Sequence, residues 1–185
     1  MKKSVQAKTR IAFVDFMYAI VIGSAFGLVP PLEFSFRFFG LLFLILVVLE
    51  DFYLYHHTQI VGRQERQIPS FLALVAEIAI LLTWYMTAIS FPDKSNSSLA
   101  CFSAFFALKW VARFAHLAKL GRLRSWEFNR NLTFMIPMLT AVTVIMIRGN
   151  TKLSSTGTWL PVMLSWFVNV LIWWGVTGRN YRETE

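Results

Sequence analysis

A carboxylate near the start of a long apolar stretch is the first residue in this sequence that could carry chemistry. Asp15 lies about one helical turn inside the run Arg10–Leu28, RIAFVDFMYAIVIGSAFGL, and Arg10 stands at its beginning. A carboxylate at that depth is costly in hydrocarbon unless it meets a partner or water, so it marks a functional or packing site. We therefore expect Asp15 to lie against protein or a water-filled cavity.

The same run carries small residues at a regular spacing. Ala19, Gly23 and Gly27 are four residues apart, a spacing that lets another helix come close in a membrane. A second stripe, at three- and four-residue spacing, would line one face of the helix: Phe13, Phe16, Ile20, Gly23 and Gly27. The pattern predicts a helix that faces other protein or a pore along most of its length.

The whole chain has the composition of a membrane protein. It has 185 residues, of which 56% are hydrophobic and only 15% charged, and long apolar runs recur along it. This composition excludes a soluble globular domain and predicts an all-α polytopic membrane protein. A net charge of +8 would suggest nucleic acid in a soluble chain. Here the basic residues fall in loops and at helix ends, as topology signals do, so we expect the lipid bilayer and no nucleic acid as partner.

Six transmembrane helices are predicted, in a single domain that covers residues 1–185. Each apolar run is about long enough to cross a hydrocarbon core. The spans are about 11–28, 36–55, 70–89, 98–117, 132–147 and 159–176. With both termini cytoplasmic, most Lys and Arg residues fall inside, and the outer segments hold only Arg37, Lys94, Arg148 and Lys152. This positive-inside bias favours that orientation.

In this orientation the charges within the spans fall at one depth. They lie roughly 6–12 Å from the cytoplasmic ends of the first four helices, at 1.5 Å per residue. They are Asp15, Glu50, Asp51, Glu77, Lys109 and Arg113. Charges in lipid pair with each other or face a wet cavity. We expect an ionic network that clamps four helices, lines a charged vestibule or gate, or does both.

Other polar residues indicate local roles. The adjacent His56 and His57 point about 100° apart on a helix, which disfavours a metal site. Asn169 and Ser165 in the sixth span predict interhelical hydrogen bonds. The segment Lys119–Arg130, KLGRLRSWEFNR, is basic and aromatic. It could dock an acidic soluble protein or anionic lipid, through its cations Lys119, Arg122, Arg124 and Arg130.

Two motifs in the first third of the chain resemble the transmembrane protein 175 family of potassium channels. Segment 10–22 begins Arg-x-x-Phe-x-Asp and continues with Tyr-Ala-Ile, which looks like the first-helix signature of that family. Segment 53–57, Tyr-Leu-Tyr-His-His, is similar to the family's Trp-Leu-x-His-His. The sequence departs from the pattern at Val14, where the family has serine, and at Tyr53, where it has tryptophan.

The resemblance implies a homo-oligomeric cation channel in a prokaryotic plasma (inner) membrane, a tetramer when each chain carries six helices. First helices would line the pore, and Ile20 would fall at the main apolar constriction. Gly23 and Gly27 would face the pore where prokaryotic members carry threonine and leucine. The resemblance also implies residues that tie the first helix to its neighbours: Arg10, Phe13 and Asp15, with His57 as a second-helix partner.

The sequence is therefore compatible with three classes of function, which we weigh against each other. The leading hypothesis is a channel for monovalent cations, with Ile20 as a dewetting gate or size filter. The alternative is a membrane scaffold or sensor that acts through a soluble partner docked on segment 119–130. A transporter or intramembrane enzyme is disfavoured, because the sequence shows no inverted repeat and no nucleophile–base pair at catalytic spacing. Pro137 and Pro161 are candidate break points in the last two spans. We expect no enzymatic activity and no cofactor.

Overall fold

The computed structural model describes residues 2–30, 34–61, 71–119, 132–151 and 153–182. For residues 2–11, 54–61, 71–73, 116, 117, 119, 150, 173, 174 and 176–182 it describes the backbone alone. The described residues form six helices and no strand, which confirms the all-α prediction. The helices are α1 (Lys2–Leu28), α2 (Phe36–Val61), α3 (Phe71–Ser90), α4 (Ser95–Lys119), α5 (Met135–Asn150) and α6 (Ser155–Arg182).

Local chemistry accounts for several helix ends. α1 stops before Pro30, which lacks a backbone N–H and disfavours the helical conformation of the residue before it. Ser35 caps α2, because its Oγ accepts a hydrogen bond from the backbone N–H of Phe38 at 3.2 Å. Ser154 caps α6 in the same way, through the N–H of Gly157 at 3.1 Å. Pro137 lies inside α5 and Pro161 inside α6, so neither of these predicted break points ends a helix.

The chain forms two compact units, residues 1–92 and 93–185. In unit 1, α1 packs mainly against α3 and also against α2. Its core takes one face of each helix, including Tyr18, Val21, Leu44 and Trp84. The indole Nε1 of Trp84 donates to the carbonyl oxygen of Leu44 at 2.9 Å, which ties α3 to α2 at the centre of the core. The grouping of both units into one six-helix domain stays a prediction.

In unit 2, α5 packs against both α4 and α6. The core is largely aromatic, and its rings contact each other across the helices. The Phe102 ring on α4 meets the Trp159 ring on α6 edge to face with centroids 5.5 Å apart, and the Phe106 ring lies 6.2 Å from that of Phe134, just before α5. The Ser95 and Ser155 hydroxyl oxygens are 3.4 Å apart, so α4 and α6 begin at the same end of the unit.

Each helix overlaps one predicted span, and several helices run beyond it. α1 begins at Lys2 instead of residue 11, because residues 2–10 contain no glycine or proline that would interrupt a helix. Among the residues that the structure describes, two helical segments are long and apolar enough to cross a membrane, Ser95–Ala115 and Ser155–Ile172. The apolar segments Ala12–Leu28, Leu74–Ser90 and Met135–Gly149 are shorter. Six membrane spans and the placement of the termini stay predictions.

Candidate functional site

A tyrosine joins the three helices of unit 1 through two carboxylates. The Tyr18 hydroxyl on α1 donates to Oδ2 of Asp51 on α2 at 2.9 Å. It also lies 3.5 Å from Oε1 of Glu77 on α3. The shorter contact has the length of an ordinary O–H···O hydrogen bond, whereas the longer one is at the outer limit for a hydrogen bond. The Tyr18–Asp51–Glu77 cluster therefore connects α1 more tightly to α2 than to α3.

The cluster is closed to solvent on the α1 and α2 sides. Tyr18 is 1% exposed and Asp51 is 4% exposed. The Tyr18 ring also packs on Phe52, with centroids 5.1 Å apart. A buried carboxylate needs hydrogen bonds or opposite charge to remain in such surroundings, and the phenol supplies one of those hydrogen bonds. The geometry supports a clamp that holds α1 against its neighbours.

The other acidic residues of the predicted network lie beside this cluster. Asp15 is half-buried and precedes Tyr18 by three residues, so both lie on neighbouring positions of one helix face. Glu50 is adjacent to Asp51 but points about 100° away, and it is half-buried. The structure thus brings Asp51 and Glu77 together through Tyr18, with Asp15 one turn away along α1.

The opposite face of α1 is not covered by the described helices of unit 1. At 100° per residue, Phe16, Ile20, Gly23 and Gly27 all lie about 140–200° from Tyr18 around the helix axis. Phe16 is 60% exposed and Ile20 is 46% exposed. A Cβ atom built on Gly23 or on Gly27 would meet no other atom within 4 Å. The glycines that the sequence marks for close helix contact have open space beside them in this chain.

Phe13 extends the same exposed face toward the N-terminus of α1. Its side chain is 42% exposed, and it precedes Phe16 by three residues. The exposed face of α1, which we define as Phe13, Phe16, Ile20, Gly23 and Gly27, is therefore continuous over about 20 Å at 1.5 Å per residue. The buried face on the other side is formed by Val14, Tyr18, Val21 and Ala25.

The two basic residues of the predicted network lie on aromatic rings in unit 2. Lys109 Nζ is 5.4 Å from the centroid of Phe105 and 5.1 Å from that of Phe134. The guanidinium carbon of Arg113 is 5.7 Å from the same Phe134 centroid. These distances are within the range of cation–π attraction. A single ionic network that joins the acidic and basic members stays a prediction.

Several predicted site residues have side chains outside the described part of the chain. Arg10 and His57 belong to α1 and α2, and Lys119 ends α4, but only their backbones are described. Arg122, Arg124 and Arg130 lie in the segment 120–131, which is outside the described residues. Among the described side chains, no group of three or more His, Cys, Asp or Glu residues has the placement of a metal site.

Two residues that matter in the structure were missed or misassigned by sequence reasoning. Tyr18 enters the sequence analysis only within the family motif, although a tyrosine buried in an apolar helix needs a hydrogen-bond partner. A carboxylate at a similar depth on another predicted helix was the sequence signal that could have indicated the partner of Tyr18. Ser165 does not make the predicted interhelical bond, because its hydroxyl donates to the carbonyl of Val162 on its own helix at 2.7 Å. Asn169 Oδ1 is buried and accepts no hydrogen bond within the described residues.

Comparisons with models of protein families, with curated proteins and with solved structures find no match for this chain. The similarity of segments 10–22 and 53–57 to the potassium-channel family therefore stays a resemblance carried by those two motifs.

Proposed function

We propose that this chain is an integral membrane protein with six spans and both termini inside the cell. The outward-facing apolar surface of its long helices supports this. Only 28% of the residues are buried in an apolar 18-residue stretch of Ser95–Ala115, and likewise in Ser155–Ile172, whereas the core helix of a soluble protein would be mostly buried. Large apolar side chains stand on the outside of α5 and α6, among them Met146 and Leu171, which is 71% exposed. A bilayer covers such surfaces.

Within that membrane protein, we propose that α1 lines the pore of a homo-oligomeric channel for monovalent cations. The observation that carries this proposal is the opposition of the two faces of α1. One face is clamped to α2 and α3 through Tyr18, and the exposed face is apolar, with small residues toward its C-terminal end. Because hydrocarbon gives helices no hydrophobic reason to associate, open glycine faces serve close packing between helices.

A pore built from the exposed faces of several α1 helices would have an apolar constriction. Ile20 stands near the middle of the exposed face, with Phe16 and Phe13 on one side. A ring of such side chains gates ions by expelling water when it is narrow. On the other side of Ile20, Gly23 and Gly27 would let the α1 helices of neighbouring copies approach closely, because they carry no side chain. A tetramer is the favoured assembly.

The clamp gives the proposed pore helix a fixed rotation. A turn of α1 by a single residue position, about 100°, would move Tyr18 away from Asp51 and Ile20 away from the proposed axis. The buried hydrogen bond at 2.9 Å therefore supports one orientation of α1 over others. On this proposal the acidic residues position the pore helix and do not line the constriction.

The test is ion flux from purified protein in liposomes under a potassium gradient. Ile20→Asn, which puts an amide in the proposed constriction, should raise the flux several-fold, because a polar ring holds water more readily. Ile172→Asn is the matched control, since Ile172 on α6 is 41% exposed and Ile20 is 46% exposed. A rise in both variants would mean a nonspecific leak, and no flux from any protein would overturn the channel proposal. Flux without preference for potassium over sodium would support a channel and contradict its selectivity for potassium.

A further inference from the structure

We propose that Lys109, Arg113 and the ring of Phe134 form a site for the phosphate headgroup of an anionic phospholipid. The inference rests on the membrane-spanning part of the proposed function and is independent of ion conduction. All three residues belong to unit 2, with the two cations on α4 and the ring just before α5. The ligand class is a membrane lipid with net negative charge, such as phosphatidylglycerol.

The two cations are arranged to hold one anion together. They are four residues apart on α4, so their side chains emerge on the same face about one turn apart. Both lie within 6 Å of the Phe134 ring centroid, at 5.1 Å for Lys109 Nζ and 5.7 Å for Arg113 Cζ. Because both cations contact the Phe134 ring, the positions of the Lys109 ammonium and the Arg113 guanidinium are restricted. A guanidinium presents paired donors that match phosphate oxygens, and the ammonium adds a compact charge beside it.

Their depth along α4 fits the headgroup boundary of a leaflet. Counted from Ser95, Lys109 lies about 21 Å and Arg113 about 27 Å along the helix at 1.5 Å per residue. A hydrocarbon core is about 30 Å thick. When α4 begins at one interface, Arg113 reaches the opposite one and Lys109 lies one turn deeper. Both side chains are half-buried, and Lys109 Nζ lies over the ring of Phe105, one turn deeper, as well as over the ring of Phe134 that it shares with Arg113.

The charge of this end of unit 2 favours an anionic ligand. Among the described residues of unit 2, Asp93 is the single acidic residue. It precedes α4 and so lies at the end of that helix opposite to Arg113. Beyond Arg113 the sequence continues with net positive charge, since residues 119–130 contain four basic residues and one acidic residue, Glu127. Each Lys or Arg near an anionic leaflet contributes about 1 kcal/mol of attraction. Leu132, two residues before Phe134, is exposed and offers apolar surface for an acyl chain.

The experiment is native mass spectrometry of the full chain purified in detergent, with lipid added at known concentrations. The lipids are phosphatidylglycerol and, as the neutral counterpart, phosphatidylcholine. The double variant Lys109→Gln/Arg113→Gln removes both charges. Arg37→Gln/Lys94→Gln is the matched control, because it removes the same charge from two exposed residues that are not part of the site. The exchange Lys109→Arg/Arg113→Lys keeps the charges, and circular dichroism with gel filtration checks the fold of every variant.

We expect the wild-type chain to prefer phosphatidylglycerol over phosphatidylcholine. The site double variant should lose about 30-fold in affinity for phosphatidylglycerol, or ~2 kcal/mol, while the control and the charge-keeping exchange lose less than about threefold. Equal binding of both lipids by the wild type, or an equal loss in the control, would overturn the site. Displacement of the lipid by millimolar inorganic phosphate would reassign it to a soluble anion. The readout needs no ion flux, so a failed channel proposal and a failed lipid site give different results.

Discussion

The Tyr18 hydroxyl lies 2.9 Å from Oδ2 of Asp51, in a part of unit 1 where both residues are almost completely buried. This contact joins residues that are 33 positions apart in the chain and belong to different helices. It determines which face of α1 is turned toward α2 and α3. The exposed face of α1 follows from it, because Phe16, Ile20 and Gly27 are about half a turn away from Tyr18.

Removal of the Tyr18 hydroxyl should weaken unit 1 without changing its packing volume. We expect Tyr18→Phe to lower the free energy of unfolding by about 1.5–3 kcal/mol, the range for a hydrogen bond to a charged group. Tyr85→Phe on α3 is the matched control, since Tyr85 is half-buried and should lose less than about 0.5 kcal/mol. Equilibrium unfolding in detergent, followed by circular dichroism, measures both. Equal losses would mean that the hydroxyl contact does not hold α1.

Gly40 provides a test of how closely α2 packs against the segment after α3. A Cβ atom at Gly40 would overlap the ring of Phe91, which also stacks on Phe36. Gly40→Ala should therefore destabilise the protein by about 1–3 kcal/mol, as overpacking does. The second change Phe91→Leu should recover part of the loss. Thermal unfolding of the single and double variants measures this.

Gly149 serves as the control for that substitution. It lies in α5, and a Cβ there would meet no atom within 4 Å. Gly149→Ala should therefore stabilise the protein by about 0.5–1 kcal/mol, because alanine favours a helix more than glycine does. Destabilisation by both alanines to the same extent would argue against the Phe91 contact as the cause.

Asn169 is a buried polar side chain with an unsatisfied carbonyl oxygen. The residue is 1% exposed, and its Oδ1 accepts no hydrogen bond within the described residues. Asn169→Leu should leave the free energy of unfolding unchanged within about 1 kcal/mol or raise it, because an unsatisfied buried acceptor opposes folding. Asn169→Asp should lower it by about 3 kcal/mol or more, since it buries a charge. A large loss in Asn169→Leu would show that the oxygen accepts a hydrogen bond, for example from a buried water molecule.

Contact between α1 helices of different copies can be measured by cysteine cross-linking. Cys101 is the single cysteine, so Cys101→Ser supplies a cysteine-free background. We expect Gly27→Cys in that background to form disulfide-linked dimers on mild oxidation in membranes, because a disulfide needs Cβ atoms about 3.5–4.5 Å apart. Leu164→Cys, on the exposed surface of α6, should stay monomeric. Equal cross-linking at both positions would indicate random collision and contradict the proposed assembly.

The positions of the helices could largely be predicted from the sequence. The apolar runs predict where each helix lies, because hydrophobic length and helix-breaking residues are local properties. Ser35 and Pro30 mark the ends of helices for the same local reason. The extension of α1 to Lys2 was not predicted, since the hydropathy pattern marks only the apolar part of a helix.

The partners of the charged residues could not be predicted to the same extent. Depth along a helix placed Asp51 and Glu77 near one level, and the structure joins them through Tyr18. Depth alone does not give the rotation of each helix, so the role of Tyr18 was missed. In the same way, depth along the helix placed Lys109 and Arg113 near one level, but the Phe134 ring that both of them contact comes from a later part of the chain.

The all-α fold, the approximate bounds of the helices and the stripe of small and apolar residues on α1 can be read from the amino-acid sequence, because periodicity and composition act within a single helix. Which side of α1 is buried and which is open depends on how the helices pack. That choice depends on contacts between α1, α2 and α3, above all the bond from Tyr18 to Asp51. Such contacts join residues far apart in the chain, and their geometry exists only once the helices have packed.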